Sequence, residues 1–203
     1  MTQLLVASRN RKKLTELRRV LDGAGLSGVA LVSLNDVEPF GEAPETGATF
    51  EDNALAKARD AFAATGLPSV ADDSGLTVAA LNGMPGVLSA RWSGRHGDDA
   101  GNTALLLAQL RDVPDGLRGA AFVSACALVS GSDEVVVRGE WTGTIAHRPR
   151  GDGGFGYDPV FVPDGYDRTA AELSPAEKDA MSHRGRALGL LVPALRELAT
   201  RRG

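Results

Sequence analysis

Apolar runs of strand length alternate with segments of helical periodicity through the first half of this chain, and this order constrains its fold most. Short apolar runs at 3–8 and 29–34 are each followed, directly or after a loop, by a stripe of apolar residues at helical spacing. Later, 118–130 and 134–147 are apolar or β-branched runs joined by SGSD, which is typical of a hairpin. The chain therefore mixes βα units with an antiparallel pair, and we predict an α/β fold with a mixed sheet.

Composition and charge exclude several classes of protein. The chain has 203 residues, 43% of them hydrophobic, which is enough for a sizeable core in one domain or in two closely packed lobes. A formal net charge of -4 disfavours a partner that is a nucleic-acid polymer. With no secretion signal and no apolar run of about 18 residues, we predict a cytoplasmic protein without a membrane segment. The one cysteine, Cys126, lies in an apolar run and is interpreted as a buried structural thiol.

The stretch SVADDSGL ends an apolar run in two adjacent carboxylates, Asp72 and Asp73. Neighbouring side chains of a strand point to opposite faces, so both can share a site only if the strand ends there, and we expect Ser74-Gly75 to supply the turn. In open α/β sheets ligands bind beyond the carboxyl ends of strands. Two converging acids repel unless a cation neutralises them, and Mg²⁺ with phosphate oxygens is the usual solution. The alternative is a solvated turn in which Asp73 caps the local backbone.

A second polar segment, SRNRKKL, follows the first predicted strand. It places Ser8, Asn10 and Lys13 at a strand-to-helix junction, where main-chain N–H groups and a lysine one turn into the helix are suited to hold phosphate. The P-loop pattern G-x-x-x-x-G-K-[ST] is absent. The alternative is that Asn10 caps the helix and the lysines are ordinary surface charges.

The segment GDGGFG matches the dinucleotide fingerprint G-x-G-x-x-G at Gly151, Gly153 and Gly156. We reject this match because YDPVFV follows it, and the fingerprint requires a helix at that point. The glycines are instead interpreted as shaping a loop. Phe155 within that loop is either a platform that stacks on a base or a core side chain.

Six motifs occur in order along the chain: SRNRKKL, PETGATFEDNALAKA, VADDSGL, PGVLSARWSG, GGFGYDPVF and AELSPAEKDAMSHRG. Together they resemble the inosine triphosphate pyrophosphatase family, also called the dITP/XTP or non-canonical purine NTP pyrophosphatases, from residue 4 to about residue 190. The resemblance implies one domain over 1–203, an elongated mixed sheet flanked by helices, two lobes with a central nucleotide-binding cleft, and a homodimer. The implied reaction is Mg²⁺-dependent attack of water on the α-phosphorus of ITP, dITP or XTP, which yields the monophosphate and pyrophosphate and cleanses the nucleotide pool.

The resemblance also implies a role for each matching residue. Residues that would bind the triphosphate are Ser8, Asn10 and Lys13. Residues that would hold the metal are Glu45, Asp72 and Asp73, of which Asp73 would also accept the proton of the attacking water. The other substrate contacts would come from Ser74, Phe155, Gly156, Tyr157, Asp158, Lys178, His183 and Arg184. Donors on His183 and Arg184 would favour a 6-oxo purine over adenine, whose 6-amino group is itself a donor.

Two other functions stay open on the sequence. One is a nucleotide pyrophosphatase of similar fold that prefers modified pyrimidines or methylated nucleotides, and substrate preference distinguishes it. The other is a catalytically silent nucleotide-binding module, in which the acidic trio should be broken. Because Glu45, Asp72 and Asp73 are all present, the sequence favours an enzyme.

Overall fold

The computed structural model describes residues 2–9, 11–26, 28–41, 44–131 and 133–200. The strands in these residues are Thr2–Val6 (β1), Val29–Ser33 (β2), Ser69–Val78 (β3), Gly119–Ser130 (β4), Asp133–Ile145 (β5) and Phe161–Pro163 (β6). The α-helices are Arg11–Gly23 (α1), Phe50–Thr65 (α2), Asp99–Gln109 (α3), Pro175–Met181 (α4) and His183–Thr200 (α5). Short 3-10 helices lie at Ala79–Leu81, Gly86–Arg91, Asp115–Leu117 and Ala170–Glu172. None of these described helices combines the length and the apolar character needed to cross a membrane.

The six described strands form one sheet in the order β2-β1-β3-β4-β5-β6. β1 pairs in parallel with both β2 and β3, whereas β5 pairs with β6 in the antiparallel sense. β4 and β5 are neighbours in the sheet and only a short turn separates them, so they form a hairpin, because a parallel connection needs a dozen or more residues. The predicted α/β fold with a mixed sheet is confirmed.

One prediction about this sheet is wrong. Ser74-Gly75 is not a turn, because β3 continues through both residues. A methyl group added at Gly75 would lie 2.7 Å from the carbonyl oxygen of Gly86, so the close approach of another chain segment explains the glycine. The N–H of Leu76 also donates to Ser89 Oγ at 2.8 Å, which ties the strand to the same segment.

Two compact units divide the chain. Unit 1 comprises Met1–Asp73, Ser124–Gly139 and Arg184–Gly203, and unit 2 comprises Ser74–Val123 and Glu140–His183. The boundary falls inside β3, β4 and β5, so each of these strands has residues in both units. The single domain over 1–203 and the cleft between two lobes stay predictions.

Unit 1 has a hydrophobic core on each face of its part of the sheet. Leu4 and Val70 belong to a cluster with the leucines of α1 and α5. Leu5 belongs to a second cluster with Ala61 of α2. Since successive side chains of a strand point to opposite faces, α1 and α5 cover one face and α2 covers the other. Cys126 is fully buried in the first cluster, as predicted, and burial raises the pKa of its thiol to about 12.

The sequence around α2 specifies both of its ends. The Oγ1 of Thr49 accepts a hydrogen bond from the N–H of Asp52 at 3.1 Å and caps the first turn. Gly66 ends the helix with a φ of 68°, in the left-handed region that favours glycine. The buried face of α2 is apolar apart from Asn53, and a buried amide needs a hydrogen-bond partner.

The core of unit 2 surrounds three aromatic rings. The ring centre of Phe161 lies 4.7 Å from that of Phe122 and 5.4 Å from that of Trp141. The glycine-rich segment at 151–156 is a loop that leads into β6 without an intervening helix. This finding agrees with our rejection of the dinucleotide fingerprint.

Candidate active site

A network of half-buried charged side chains surrounds the buried carboxylate of Asp72 on the face of unit 1 that α1 and α5 cover. Lys13 Nζ lies 2.8 Å from Asp72 Oδ1, and Arg184 Nε donates to Asp72 Oδ2 at 3.2 Å. Arg184 also donates from Nη1 to Glu16 Oε2 at 3.3 Å. Three elements, α1, β3 and α5, thus bring two cations and two anions together.

The electrostatics of this network keep Asp72 ionised. Burial by itself would raise the pKa of Asp72, but the charges of Lys13 and Arg184 outweigh burial and lower the pKa to about 2. The ionised carboxylate in turn holds both cations in place. A ligand that accepts hydrogen bonds from them would therefore meet donors that are already ordered, which reduces the entropy cost of binding.

Asp73, the next residue of β3, points to the opposite face, which α2 covers. Its Oδ2 accepts a hydrogen bond from Asn53 Nδ2 at 3.0 Å, and its Oδ1 lies 3.3 Å from Lys57 Nζ. Lys57 also pairs with Glu45 Oε1 and donates to the main-chain oxygen of Asp72 at 3.2 Å. Oxygen atoms of three residues therefore converge on one ammonium group.

The surroundings of Asp73 raise the pKa of its carboxyl group. Burial raises the pKa of Asp73, and the neighbouring charge of Glu45 raises it further, while Lys57 and Asn53 lower it by less. The pKa of Lys57 is raised, because the attraction of Asp73 and Glu45 outweighs the effect of burial, so the ammonium stays charged. A carboxylate whose pKa is raised is a stronger base than one in water, and Asp73 thus has the environment of a proton acceptor.

The structure does not group the three predicted metal ligands. Because β3 is continuous, the side chains of Asp72 and Asp73 lie on opposite faces and pair with different cations. Within the part of the chain that the structure describes, no three carboxylate, histidine or cysteine side chains are arranged to hold a metal ion. Glu45 and Asp73 remain together and, with the main-chain oxygen of Asp72, offer the hard oxygen ligands that Mg²⁺ prefers. These oxygen atoms fit a hard cation bound by Glu45 and Asp73. The carboxylate of Asp72 does not belong to this set, because it lies on the other face and pairs with Lys13 and Arg184.

The strand-to-helix junction after β1 is described only in part. Asn10 lies outside the described residues. Ser8 is half-buried, and its main-chain N–H donates to the carbonyl oxygen of Val6 at 2.7 Å. This N–H therefore binds the end of β1, so it is not one of the outward donors that we predicted for phosphate. Ser74 is a half-buried residue of β3 in unit 2.

A second group of predicted residues surrounds the glycine-rich loop of unit 2. The side chain of Phe155 is 69% exposed, so it is not a core residue. Lys178 Nζ, on α4, lies 5.5 Å from the centre of the Phe155 ring. Asp158 is buried, pairs with Lys178, and accepts a hydrogen bond from the N–H of Phe155 at 2.8 Å. An exposed ring on a loop whose main chain is bound in this way is suited to stack on a planar ligand.

Tyr157 does not belong to this exposed group, which corrects its predicted role. It is only 4% exposed, packs in the core of unit 2, and donates its hydroxyl to the carbonyl oxygen of Ser89 at 2.9 Å. The predicted contact of this side chain with the base or sugar is therefore not supported. The ring of His183, at the start of α5, stacks on Phe122 with 5.4 Å between ring centres and 17° between ring planes.

Three residues of these networks were not predicted: Glu16, Asn53 and Lys57. Asn53 and Lys57 are four positions apart on α2, so they project from the same face of the helix. A polar residue in an otherwise apolar helical stripe is the signal that identifies Asn53. No local pattern marks Glu16, because its partner Arg184 lies at the other end of the chain.

The class of protein follows from three features of the described residues. These are cationic donors held in place by carboxylates, a carboxylate with a raised pKa, and an exposed aromatic ring. They are typical of an α/β enzyme that acts on a phosphorylated ligand with an aromatic base. The chain belongs to the Ham1 family, whose model matches residues 4–194.

Curated relatives and solved structures agree with this assignment. The dITP/XTP pyrophosphatase of Mycobacterium tuberculosis (strain ATCC 25618 / H37Rv) is 84% identical over 199 residues, which are 98% of each chain. That of Mycobacterium leprae is 79% identical over 203 residues, again 98% of each chain. The crystal structure of the Mycobacterium abscessus nucleoside-triphosphatase / dITP/XTP pyrophosphatase is 70% identical with a TM-score of 0.85, covering 96% of this chain and all of that one. A HAM1 protein from Coxiella burnetii is 42% identical with a TM-score of 0.89, covering 97% and 100%. The family and the enzyme class that six motifs predicted are confirmed.

Proposed function

We propose that this chain hydrolyses the non-canonical purine nucleotides dITP, XTP and ITP to the nucleoside monophosphate and pyrophosphate. Identity of 84% over nearly the whole length with a curated dITP/XTP pyrophosphatase supports this substrate class. The observation that carries the proposal is the environment of Asp73, a buried carboxylate with a raised pKa beside Lys57 and Glu45. It supplies a base that is held by the ammonium group of Lys57 and the amide of Asn53.

The proposed reaction is attack of water on the α-phosphorus. The oxygen of water bonds to phosphorus, its proton passes to Asp73 Oδ1 or Oδ2, and the bond from phosphorus to the pyrophosphate leaving group breaks. Negative charge grows on the phosphate oxygens during this step, and Lys13 and Lys178 stabilise it. Asp72 holds Lys13 in place in this scheme and is not a metal ligand.

We further propose Mg²⁺ as the cofactor, held by Glu45 and Asp73. Bound there, it would supply positive charge to the phosphate oxygens and lower the pKa of water. Lys57 contacts the same carboxylates, so its ammonium group would have to give up part of these contacts when the site is loaded.

The base is recognised by stacking and by hydrogen bonds in this proposal. Phe155 would stack on the purine, while His183 and Arg184 would donate to its 6-oxo group. Asp72 and Glu16 hold the Arg184 guanidinium in one orientation, as a site that reads one hydrogen-bond acceptor requires. Adenine would leave such donors unmet, at a cost of about 1–3 kcal/mol for each.

One assay tests the reaction and distinguishes its rivals. The purified protein is incubated with dITP, XTP, ITP, GTP, ATP and a modified pyrimidine nucleoside triphosphate in water enriched in ¹⁸O, with Mg²⁺ or with EDTA. We expect Mg²⁺-dependent pyrophosphate release from dITP, XTP and ITP, with the label in the monophosphate, because attack at the α-phosphorus places it there. Release of orthophosphate, or incorporation of the ¹⁸O label into pyrophosphate, would contradict attack at the α-phosphorus. Preference for a modified pyrimidine nucleotide would favour the alternative of a pyrophosphatase for modified pyrimidine or methylated nucleotides. Binding without any product would favour the alternative of a catalytically silent binding module.

We also propose that the protein is a cytoplasmic homodimer, as the family resemblance implies. Each chain has a mass of 21.1 kDa, so sedimentation equilibrium should report twice that value. A mass of one chain at micromolar concentration would contradict the dimer.

A further inference from the structure

Two side chains of α3 bind the main chain of Gly156, the residue after Phe155, within unit 2. Asp99 Oδ2 accepts a hydrogen bond from the N–H of Gly156 at 2.7 Å. Thr103 Oγ1 donates to the carbonyl oxygen of the same glycine at 3.3 Å. Asp99 and Thr103 are four positions apart, so they lie on one face of α3. One helix thus binds both polar groups of a single loop residue.

The loop needs this support because its glycines allow many main-chain conformations. Gly154 and Gly156 have φ angles of 78° and 60°, and glycine has more main-chain freedom to lose than any other residue. The ring of Phe155 projects away from the core and is mostly exposed, so core packing does not orient it. Its orientation depends on the bound main chain at Phe155 and Gly156 and on the neighbouring Lys178.

We propose that Asp99 and Thr103 are positioning residues that fix the Phe155 ring for stacking on the purine. This inference rests on the proposed function, because it takes Phe155 as the surface that contacts the base. A ring that is ordered before the nucleotide arrives has less conformational entropy to lose on binding. Loss of either contact to Gly156 therefore weakens binding of the base and leaves the phosphate chemistry unchanged.

The test uses Asp99→Ala, Thr103→Val and the double variant of the full chain. Each single change removes one hydrogen bond, so we expect KM for dITP and for XTP to rise about threefold to tenfold, and further in the double variant. The value of kcat should change less than twofold, since neither residue touches the reacting phosphate. Asp99→Asn keeps an oxygen acceptor and should lie between the wild-type protein and Asp99→Ala.

A ligand without a base separates positioning of Phe155 from general damage. Inorganic triphosphate is measured as a competitive inhibitor of dITP hydrolysis, and its inhibition constant should be the same in the wild-type protein and in all variants. Thr77→Val is the matched control for Thr103→Val, because the Thr77 hydroxyl also donates to a carbonyl oxygen of unit 2, that of Ala121, at 3.2 Å. Asp98→Asn is the control for the lost charge at Asp99, because asparagine caps a helix as well as aspartate does. Both controls should leave KM unchanged.

The outcomes separate this inference from the proposed function. Unchanged KM values in both single variants and the double variant, in an active enzyme, would overturn the positioning role. An equal rise in KM for Thr77→Val, or a parallel rise in the inhibition constant of inorganic triphosphate, would show a general structural effect and would also overturn it. Absence of nucleotide hydrolysis by the wild-type protein would instead overturn the proposed function, and this inference with it.

Discussion

Asp73 is the residue on which the proposed chemistry depends most. Asp73→Asn keeps the size of the side chain and removes the proton acceptor, so we expect kcat to fall by about 10²- to 10⁴-fold. Nucleotide binding should persist, because the cations Lys13 and Lys178 are untouched. Single-turnover hydrolysis and calorimetric titration with dITP measure the two effects. Glu134→Gln, which breaks an exposed pair with Arg59 in the same unit, is a control for loss of a carboxylate elsewhere. Undiminished hydrolysis by Asp73→Asn would mean that another group accepts the proton.

Asp72 contributes to stability in a pH-dependent way. Its pKa is lowered from 3.8 to about 2, so the ionised carboxylate stabilises the folded state above about pH 4, and this contribution is lost as the pH falls towards 2. Asp72→Asn removes it and leaves Lys13 and Arg184 without their shared partner. We therefore expect the free energy of unfolding to drop by about 2 kcal/mol at pH 7. Urea unfolding at pH 7 and near pH 2 measures the difference between variant and wild type, which should shrink with acidity. An equal difference at both pH values would contradict the ion pairs.

At the scale of elements, the continuity of β3 depends on a glycine. The methyl group of Gly75→Ala would lie 2.7 Å from the carbonyl oxygen of Gly86, so the strand or the facing 3-10 helix must shift. We expect a loss of about 1–3 kcal/mol in the free energy of unfolding, as for overpacking of a core. Gly119→Ala, at a strand glycine whose added methyl group would meet nothing within 4 Å, is the matched control and should be close to neutral. An unchanged free energy of unfolding for Gly75→Ala would contradict this prediction, because it would mean that the facing 3-10 helix shifts without cost.

The same strand shows how far local pattern predicts structure. The order of strands and helices was predictable, because hydrophobic period and turn residues are local signals. The prediction of a turn at Ser74-Gly75 followed the usual preferences of serine and glycine for turns. The strand stays extended because of a tertiary contact with Gly86, which no local pattern indicates. The partners of Asp73 lie 16 and 20 positions away, at Lys57 and Asn53, and no pattern around Asp73 indicates them. The candidate site was therefore predicted as a set of motif residues, but not as two networks on opposite faces.

At the scale of the whole molecule, the family signature is distributed over both units. SRNRKKL lies in unit 1, PGVLSARWSG and GGFGYDPVF lie in unit 2, and VADDSGL crosses the boundary between them. Each motif alone is weak evidence for the family. The six motifs in order, however, extend over nearly the whole chain, as does the match to the Ham1 family model. The enzyme class was predictable for this reason, although contacts such as Glu16 to Arg184 were not.

The shared strands also predict how the whole chain unfolds. Because β3, β4 and β5 each have residues in both units, neither unit can lose its strands without disrupting hydrogen bonds of the other, and we expect one cooperative transition in urea. Both tryptophans, Trp92 and Trp141, are in unit 2, so their fluorescence reports that unit. The three longest described helices, α1, α2 and α5, lie almost entirely in unit 1, so circular dichroism at 222 nm reports mainly unit 1. The two signals should give coincident midpoints. A fluorescence transition that clearly precedes or follows the dichroism transition would show that the units unfold separately in spite of the strands they share.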